Sequence, residues 1–283
     1  MELVVIGHLA HDILRSGDKE IEATGGSACY CSMTGSRLGR DVGLVSKSNF
    51  NPFLGEERIS TKGLKIGDKV TTFVNTYQNS HRKQEVLEVA EPIFSEDLPK
   101  EFLKSRSIHL GPIINEIPLD TMRFIRENSD ALISVDVQGL IRRLEGKELI
   151  KVRFNPKKLV GLVDVVKISL QDEFSYFFKD LNECQDFFEE NGMIGLVTDG
   201  ERGSSVICKG IRAVPAFKTN TVDPTGAGDV YIAAFDIRYS ETKDLYKSAL
   251  FASAAASFVV EDWGPKNVPT EEMVMNRLAK KFG

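Results

Sequence analysis

Short apolar runs punctuate the chain at Leu3–Ile6, Ser107–Leu110, Ala131–Val135, Val163–Ile168, Met193–Val197 and Ser204–Ile207, bounded by Gly, Pro or Asp. Runs this short and this continuously apolar read as strands buried on both faces. Between several of them lie stretches with helical spacing, among them Leu119–Glu127 and Glu173–Glu190. Strands alternating with helices are what parallel pairing demands, because each parallel connection must cross over the sheet. The pattern predicts an α/β fold, a doubly wound and mostly parallel sheet flanked by helices. Ser248–Val260 is apolar nearly all round and predicts a buried helix.

The segment Lys69–Ile93 breaks the alternation. Val70, Thr72 and Val74, then Val86 with Leu87 or Val89, read as strands around the polar turn Gln78–Arg82, with no helix between them. Ile13–Ala23 has room for another extended stretch. The expectation is a single domain over 1–283 carrying a small β-sheet built from about 13–23 and 69–93. Lying over the carboxyl ends of the parallel strands, where open α/β sheets bind ligands, such a sheet would be a lid. A hairpin that extends the main sheet or contacts a second copy is the competing reading, and an uncovered lid makes a homodimer the expected assembly.

Bulk properties exclude several classes. A net charge of −5 leaves no footprint for nucleic acid or an anionic membrane. No run of 18 apolar residues occurs, so no membrane-spanning helix is expected, and the chain opens directly on a strand. A cytoplasmic location is the default. Cys29, Cys31, Cys184 and Cys208 form no CxxC pair and have no His at metal-ligand spacing, so they read as buried free thiols.

The strongest chemical signal is Asp223-Pro-Thr-Gly-Ala-Gly-Asp229, followed by the helical run Val230–Phe235. Two glycines around a small residue let successive backbone amides close on an anion, and the start of the next helix adds partial positive charge. Asp229 at that helix start has two readings. It caps the helix, or it accepts the proton of an attacking hydroxyl while Gly226, Ala227 and Gly228 stabilise a phosphoryl group in transfer. The P-loop pattern GxxxxGK[ST] and the dinucleotide pattern GxGxxG are both absent.

These residues resemble the ribokinase (PfkB-type) family of carbohydrate kinases over essentially the whole chain. Asp223–Asp229 is similar to the family's second signature, and Gly25-Gly26-Ser-Ala-Cys-Tyr-Cys-Ser followed by Arg37-Leu-Gly39 is similar to its glycine-pair signature. The resemblance implies Asp229 as general base and the amides of Gly226–Gly228 as anion hole. It also implies Asp12 with Gly25 and Gly26 as holders of substrate hydroxyls, a carboxylate being able to accept two hydrogen bonds while a glycine pair admits close approach. Thr198, Gly200 and Gly203 resemble the family's nucleotide loop, with Asp223 and Thr225 also on the ATP side; as bare chemistry that loop is only a tight turn. Asp136-Val-Gln138 and Arg142 follow a buried strand, where an acid and an arginine either face the cleft or form a surface salt bridge.

Two departures from the family pattern matter. Its Asn-x-x-Glu motif is replaced by Ser169-Leu-Gln-Asp172 with Glu173 next, leaving Asp172 or Glu173 for an indirect metal contact. Tyr30 stands where ribokinases carry an asparagine, which disfavours ribose. The implied cofactors are ATP and Mg2+, with a monovalent cation such as K+ left open. Val135–Arg142 and Val70–Tyr77, with Arg82, resemble the inositol kinase-like members, and Asp12, Asn75, Gln138 and Arg82 suit a ring of hydroxyls. The predicted function is therefore an ATP-dependent kinase of a small polyhydroxy substrate, a cyclitol such as myo-inositol or a sugar. A nucleoside kinase, with Phe73 or Tyr77 against the base, is the alternative. A non-catalytic sugar or nucleotide sensor on the same fold is a remote third, which an intact Asp229 opposes.

Overall fold

The computed structural model describes residues 1–16, 19–78 and 81–282. The chain starts with β1 (Leu3–Ile6), runs out through β2 (Ala10–Ser16) and β3 (Lys19–Gly25), and returns by α1 (Ser27–Arg37) to β4 (Val42–Ser48) and β5 (Ile59–Ile66). It leaves again for β6 (Thr71–Gln78) and β7 (His81–Glu88), then re-enters at β8 (Ser107–Leu110), α2 (Leu119–Asn128), β9 (Leu132–Asp136) and the short α3 (Gln138–Ile141). A third excursion, β10 (Arg142–Glu145) and β11 (Glu148–Lys151), precedes β12 (Val165–Ser169), α4 (Leu181–Glu190), β13 (Ile194–Thr198), β14 (Ser204–Ile207) and β15 (Ile211–Val214). Three helices close the chain: α5 (Ala227–Thr242), α6 (Leu245–Val259) and α7 (Glu271–Phe282).

The main sheet has nine strands in the order β15-β14-β13-β12-β9-β8-β1-β4-β5. From β13 to β5 every neighbouring pair is parallel, and only β14 and β15 run antiparallel at one edge. Successive strands are added first on one side of β1 and then on the other, so the switch of direction lies at the carboxyl ends of β1 and β8. That is where a doubly wound sheet opens a crevice. Two apolar clusters fill the two faces. One packs α1, α5 and α6 against the sheet, and the other carries Phe102, Phe178 and Phe188.

The second sheet has six strands in the order β10-β11-β7-β6-β2-β3. The expected extended segments 13–23 and 69–93 supply β2, β3, β6 and β7, but the β10–β11 hairpin was not read from the sequence. Its strands are four residues each around Gly146, too short for periodicity to register. The turn expected at Gln78–Arg82 lies partly outside the described residues. Asp12, Phe73 and Val86 are register partners and share one face, the face that packs Ala10, Phe73 and Val86 on Ile113 and Ile114 of the main body.

Two other expectations change. Glu173–Glu190 is not one helix: Phe174–Tyr176 is a 3₁₀ turn, and α4 begins only after Asp180, whose Oδ1 accepts the Glu183 amide at 2.9 Å. The intervening Phe177 and Phe178 turn inward instead of continuing the helix. Strands β4 and β5 were not read because Gly43 and Gly63 interrupt them. A Cβ at Gly43 would stand 2.9 Å from the Phe102 ring, so glycine there admits the aromatic.

Phe178 is fully buried among Phe174, Phe177, Phe187 and Phe188, with ring centroids 5.5–6.4 Å away. Phe178→Ala should cost about 3–5 kcal/mol, read as a lower urea midpoint at unchanged slope.

Candidate active site

The motif turn is built from its own side chains. Asp223 is buried, and its Oδ1 accepts from the Thr225 amide at 3.0 Å and the Thr225 hydroxyl at 2.6 Å, which folds the chain back on itself. Gly226 then adopts φ 81°, a left-handed conformation that costs glycine nothing. The Tyr30 ring occupies the space a Cβ there would need, 2.3 Å from its position. Gly226 is thereby the N-cap of α5, with no side-chain capping bond, and Asp229 is the helix's third residue. The capping reading of Asp229 is corrected, since the N-cap position belongs to Gly226 and Asp229 stands inside the first turn. Ala227 N reaches back to Pro224 O at 3.3 Å, while the start of α5 presents the positive end of a helix of 16 residues.

Against this turn lies a buried lysine that sequence reasoning missed. Register places Lys167 of β12 opposite Asp136 at the end of β9, and their Nζ and Oδ2 are 2.6 Å apart in a pair that is almost wholly buried. A Cβ at Gly228 would stand 2.7 Å from the Lys167 ammonium, so glycine at this position lets the cation touch the turn. The only hint in the sequence was one charged residue in the otherwise apolar run Val165–Ile168.

Electrostatics follow from that crowding. Burial pushes the Asp229 carboxyl up to about 6, and Asp136 adds to the effect, while Lys167, a hydrogen bond from Ser27 and Arg142 pull it down. Burial likewise raises Glu173 to about 7 against the pull of Lys167. Burial also opposes ionisation of Asp136, but the Lys167 ammonium outweighs it and holds that carboxyl below its usual range. Lys167 itself is kept protonated, because Asp136, Glu173 and Asp229 together outweigh its desolvation. Arg142 belongs to this cluster and is no surface ion pair: it donates from Nη1 to Ile113 O at 3.0 Å and lowers both Asp229 and Glu173.

Among the residues that the resemblance implies for substrate, Gly25 and Asp12 are in contact by necessity, since a Cβ at Gly25 would lie 2.0 Å from Asp12 Oδ2. Gly26 takes φ 84° and caps α1; a Cβ there would meet His8 O at 2.6 Å. Asn75 is buried on the same sheet face and its Oδ1 accepts from Gln84 Nε2 at 2.9 Å. Gln138 opens α3 and donates its amide to Asp136 Oδ1 at 3.0 Å. Phe73 is packed under Ile113 and Ile114, so it offers no open aromatic slot. The side chains of Tyr77 and Arg82 lie outside the described residues.

On the other side, Thr198 ends β13, and its carbonyl accepts the Leu170 amide at 2.8 Å. Gly200 and Gly203 both have positive φ, and a Cβ at Gly203 would stand 2.2 Å from Val214 O. Arg202 clamps Asp199 across this turn at 2.7 Å, and Gln171 Nε2 donates to Asp199 from 3.1 Å. The two acids expected near a metal separate: Glu173 is buried and accepts the Ser169 amide at 2.7 Å, whereas Asp172 is exposed, 4.0 Å from Lys151 Nζ. Among the described residues no three His, Cys, Asp or Glu side chains converge to hold a metal ion. One or two carboxylates with substrate phosphates is the donor set magnesium commonly uses, and these residues fit that arrangement.

Residues 147–272 match the pfkB family carbohydrate kinase sequence pattern. That stretch is somewhat under half of the chain, and over it the sequence is similar to the pfkB family carbohydrate kinases. It is 27% identical over 308 residues to a nucleoside kinase of Methanothermobacter thermautotrophicus, covering all of this chain and 97% of that one. Its fold superposes with a TM-score of 0.82 on a pyrophosphate-dependent kinase in the ribokinase family complexed with a pyrophosphate analog and myo-inositol, at 23% identity and over 96% and 99% of the two chains. A fructokinase with bound ATP from Xylella fastidiosa also superposes at 0.82, with 17% identity over 100% and 99% of the two chains. The fold is ribokinase-like, and the proteins it is similar to are kinases, among them a nucleoside kinase and an inositol 3-kinase of Arabidopsis thaliana. No helix among its described residues is long and apolar enough to cross a membrane.

The cluster makes a titration prediction. The Asp229 carboxyl should titrate near 6 by carbon-13 NMR of labelled protein. Asp136→Asn removes the neighbouring like charge and should move that titration down, whereas Lys167→Met removes the opposing charge and should move it up.

Proposed function

We propose that this kinase transfers the γ-phosphoryl group of ATP to a hydroxyl of a small polyhydroxy acceptor, a cyclitol such as myo-inositol or a sugar. The observation that carries this reading is the convergence at the start of α5 of an anion-binding turn, the Lys167 ammonium and the Asp229 carboxylate. A carboxyl raised to about 6 is still mostly ionised at neutral pH, yet is a better proton acceptor than an ordinary aspartate.

In the proposed sequence, Asp12 binds acceptor hydroxyls, with Gly25 and Gly26 keeping the backbone close to the ring. Asn75, Gln138 and Arg142 complete the polar side of the acceptor site. Asp229 takes the proton of the attacking hydroxyl as the new O–P bond forms, and the bond to the leaving ADP oxygen breaks in line with it. The turn Gly226–Gly228, with Lys167 behind it, offsets charge on the group in flight. Thr198, Gly200, Gly203, Asp223 and Thr225 line the nucleotide side. Mg2+ would be held chiefly by the nucleotide phosphates, with Glu173 and the exposed Asp172 acting at most through water, and when bound it offsets phosphate charge.

The small sheet acts as the lid in this reading, its β10–β11 hairpin included, and its exposed Ile21, Leu87 and Leu144 offer apolar surface to a second copy. Within one domain, closure excludes water from Asp229. A nucleoside acceptor is the second reading, supported by the full-length likeness to a nucleoside kinase. The buried position of Phe73 favours the polyol over the nucleoside, which would want an open face against its base.

Asp229→Asn should retain acceptor binding and lose turnover by about 100-fold or more, measured as ADP release with myo-inositol, hexoses, pentoses and nucleosides offered in turn. Turnover near that of the unchanged enzyme in Asp229→Asn would refute the base assignment, and wild-type turnover on nucleosides alone would select the second reading.

A further inference from the structure

A second group of cations gathers away from Asp229. A cavity of about 450 Å³ opens between residues 115–120, the start of β10 and the segment after β11, and Arg143, Arg153 and Lys158 line it. The three come from separate places: β10, the stretch that follows β11, and the 3₁₀ turn Pro156–Leu159. In a chain of net charge −5, none of them forms an ion pair among the described residues. The acid on the rim, Asp120, is taken by Arg123, whose Nη1 is 2.5 Å from its Oδ1. The cavity thus carries positive charge that nothing around it offsets.

These groups are held in place. Arg143 Nη1 donates to Leu140 O at 3.0 Å and to Arg142 O at 2.6 Å, which fixes the guanidinium and leaves its remaining N–H groups for a partner. Lys158 Nζ stands 5.8 Å from the centroid of the Phe154 ring, which also lines the cavity. Phe154 is anchored in turn, its amide donating to Tyr176 O at 3.1 Å and its ring 5.6 Å from that of Phe177.

The cavity is separate from the site at Asp229. Arg142 and Arg143 are neighbours on β10, and adjacent side chains of a strand point to opposite faces. Arg142 turns to Ile113 O and acts on Asp229 and Glu173, whereas Arg143 turns into the cavity. The 113–116 stretch meets both, through Ile113 O on one side and Asn115 on the other. It is pinned by Glu116, whose buried carboxylate accepts the amides of His8, Ile113 and Ile114 at 2.8–3.0 Å.

We propose that this cavity binds a phosphate monoester of a small molecule, with Arg143, Arg153 and Lys158 around the phosphate and the organic body against Phe154. The inference is independent of the role given to Asp229. Size argues for an ester: small-molecule sites run to about 300–1,000 Å³, so the cavity has room for more than a bare anion. Charge argues for phosphate. A phosphate monoester carries about −1.5 to −2 at neutral pH on three acceptor oxygens, which suits three cations, whereas a carboxylate brings a single charge. Arginine forks also match phosphate geometry. Sugar phosphates and nucleoside monophosphates share this group.

Amide NMR of the full chain, titrated in turn with glucose 6-phosphate, AMP, glucuronate and inorganic phosphate, tests the proposal. The resonances of Asn115, Arg143, Arg153 and Lys158 should shift together and saturate with at least one of the two esters, and the tighter ester names the source. Glucuronate and inorganic phosphate should bind there about tenfold more weakly or worse. The double variant Arg153→Ala/Lys158→Ala removes two exposed side chains, a change that leaves folding intact. It should weaken ester binding at Asn115 and Arg143 about tenfold or more, with turnover and any shifts at Gly226–Gly228 unchanged. Four amides that do not respond to either ester, shifts confined to Gly226–Gly228, equal affinity for glucuronate or inorganic phosphate, or undiminished binding in the double variant would each overturn the proposal. Asp229→Asn should leave ester binding in the cavity as it was; its loss there would place the ester at the active site and overturn the proposal as well.

Discussion

The arrangement depends on one buried ion pair, Lys167 with Asp136, at the seam where β9 and β12 end beneath the start of α5. Two charges out of water are stable only when they compensate each other and their remaining hydrogen-bonding capacity is used, and losing one partner of such a pair typically costs about 3–5 kcal/mol. Here Asp136 spends its second oxygen on the Gln138 amide, which starts α3 and turns the chain toward Arg142. Lys167 spends its excess charge on Glu173, Asp229 and the glycine turn. One pair therefore orders three segments that are distant in sequence. It also leaves a cation facing the place where negative charge would build up.

The same economy explains the glycines. At Gly226, Gly228, Gly25 and Gly111 the missing Cβ is replaced by Tyr30, Lys167, Asp12 and Ser27 respectively, each a side chain that belongs to the site. Glycine here is as much a means of close approach as of turning. The small sheet is tied down in a similar way at its base. His8 lies between β1 and β2 and meets Thr71 Oγ1 through Nδ1 at 2.8 Å and Glu91 O through Nε2 at 3.0 Å, while the Ala90 amide also bonds Thr71 Oγ1. Strands β2, β6 and β7 thus join the main body through one hydrogen-bonded knot, which anchors the face carrying Asp12.

What could be read from the sequence followed the range of the interactions. The apolar strands Leu3–Ile6, Ser107–Leu110 and Ser204–Ile207 were legible to the residue, because burial on both faces leaves an uninterrupted local pattern. The turn Asp223–Asp229 was legible because its bonds run within itself, from Asp223 to Thr225 and on to Gly226. Lys167 was not legible, because its partner is 31 residues away and only the parallel register brings them together. The β10–β11 hairpin escaped because its place in the second sheet is decided by pairing with β7, which four-residue strands do not announce. Asp12 as an acceptor residue came from family resemblance alone, and the contact with Gly25 now supplies a physical reason for that glycine.

The central claim is that phosphoryl transfer takes place against the start of α5. The most direct test is amide NMR of the protein with ADP, aluminium fluoride, Mg2+ and an acceptor polyol, a mimic of the group in flight. The account predicts that the amide resonances of Gly226, Ala227 and Gly228 shift together on formation of this complex and only slightly with ADP alone, since the helix start and Lys167 bind the transferring group and not the leaving nucleotide. Large shifts confined to other loops, with these three amides unmoved in a complex that demonstrably forms, would contradict it.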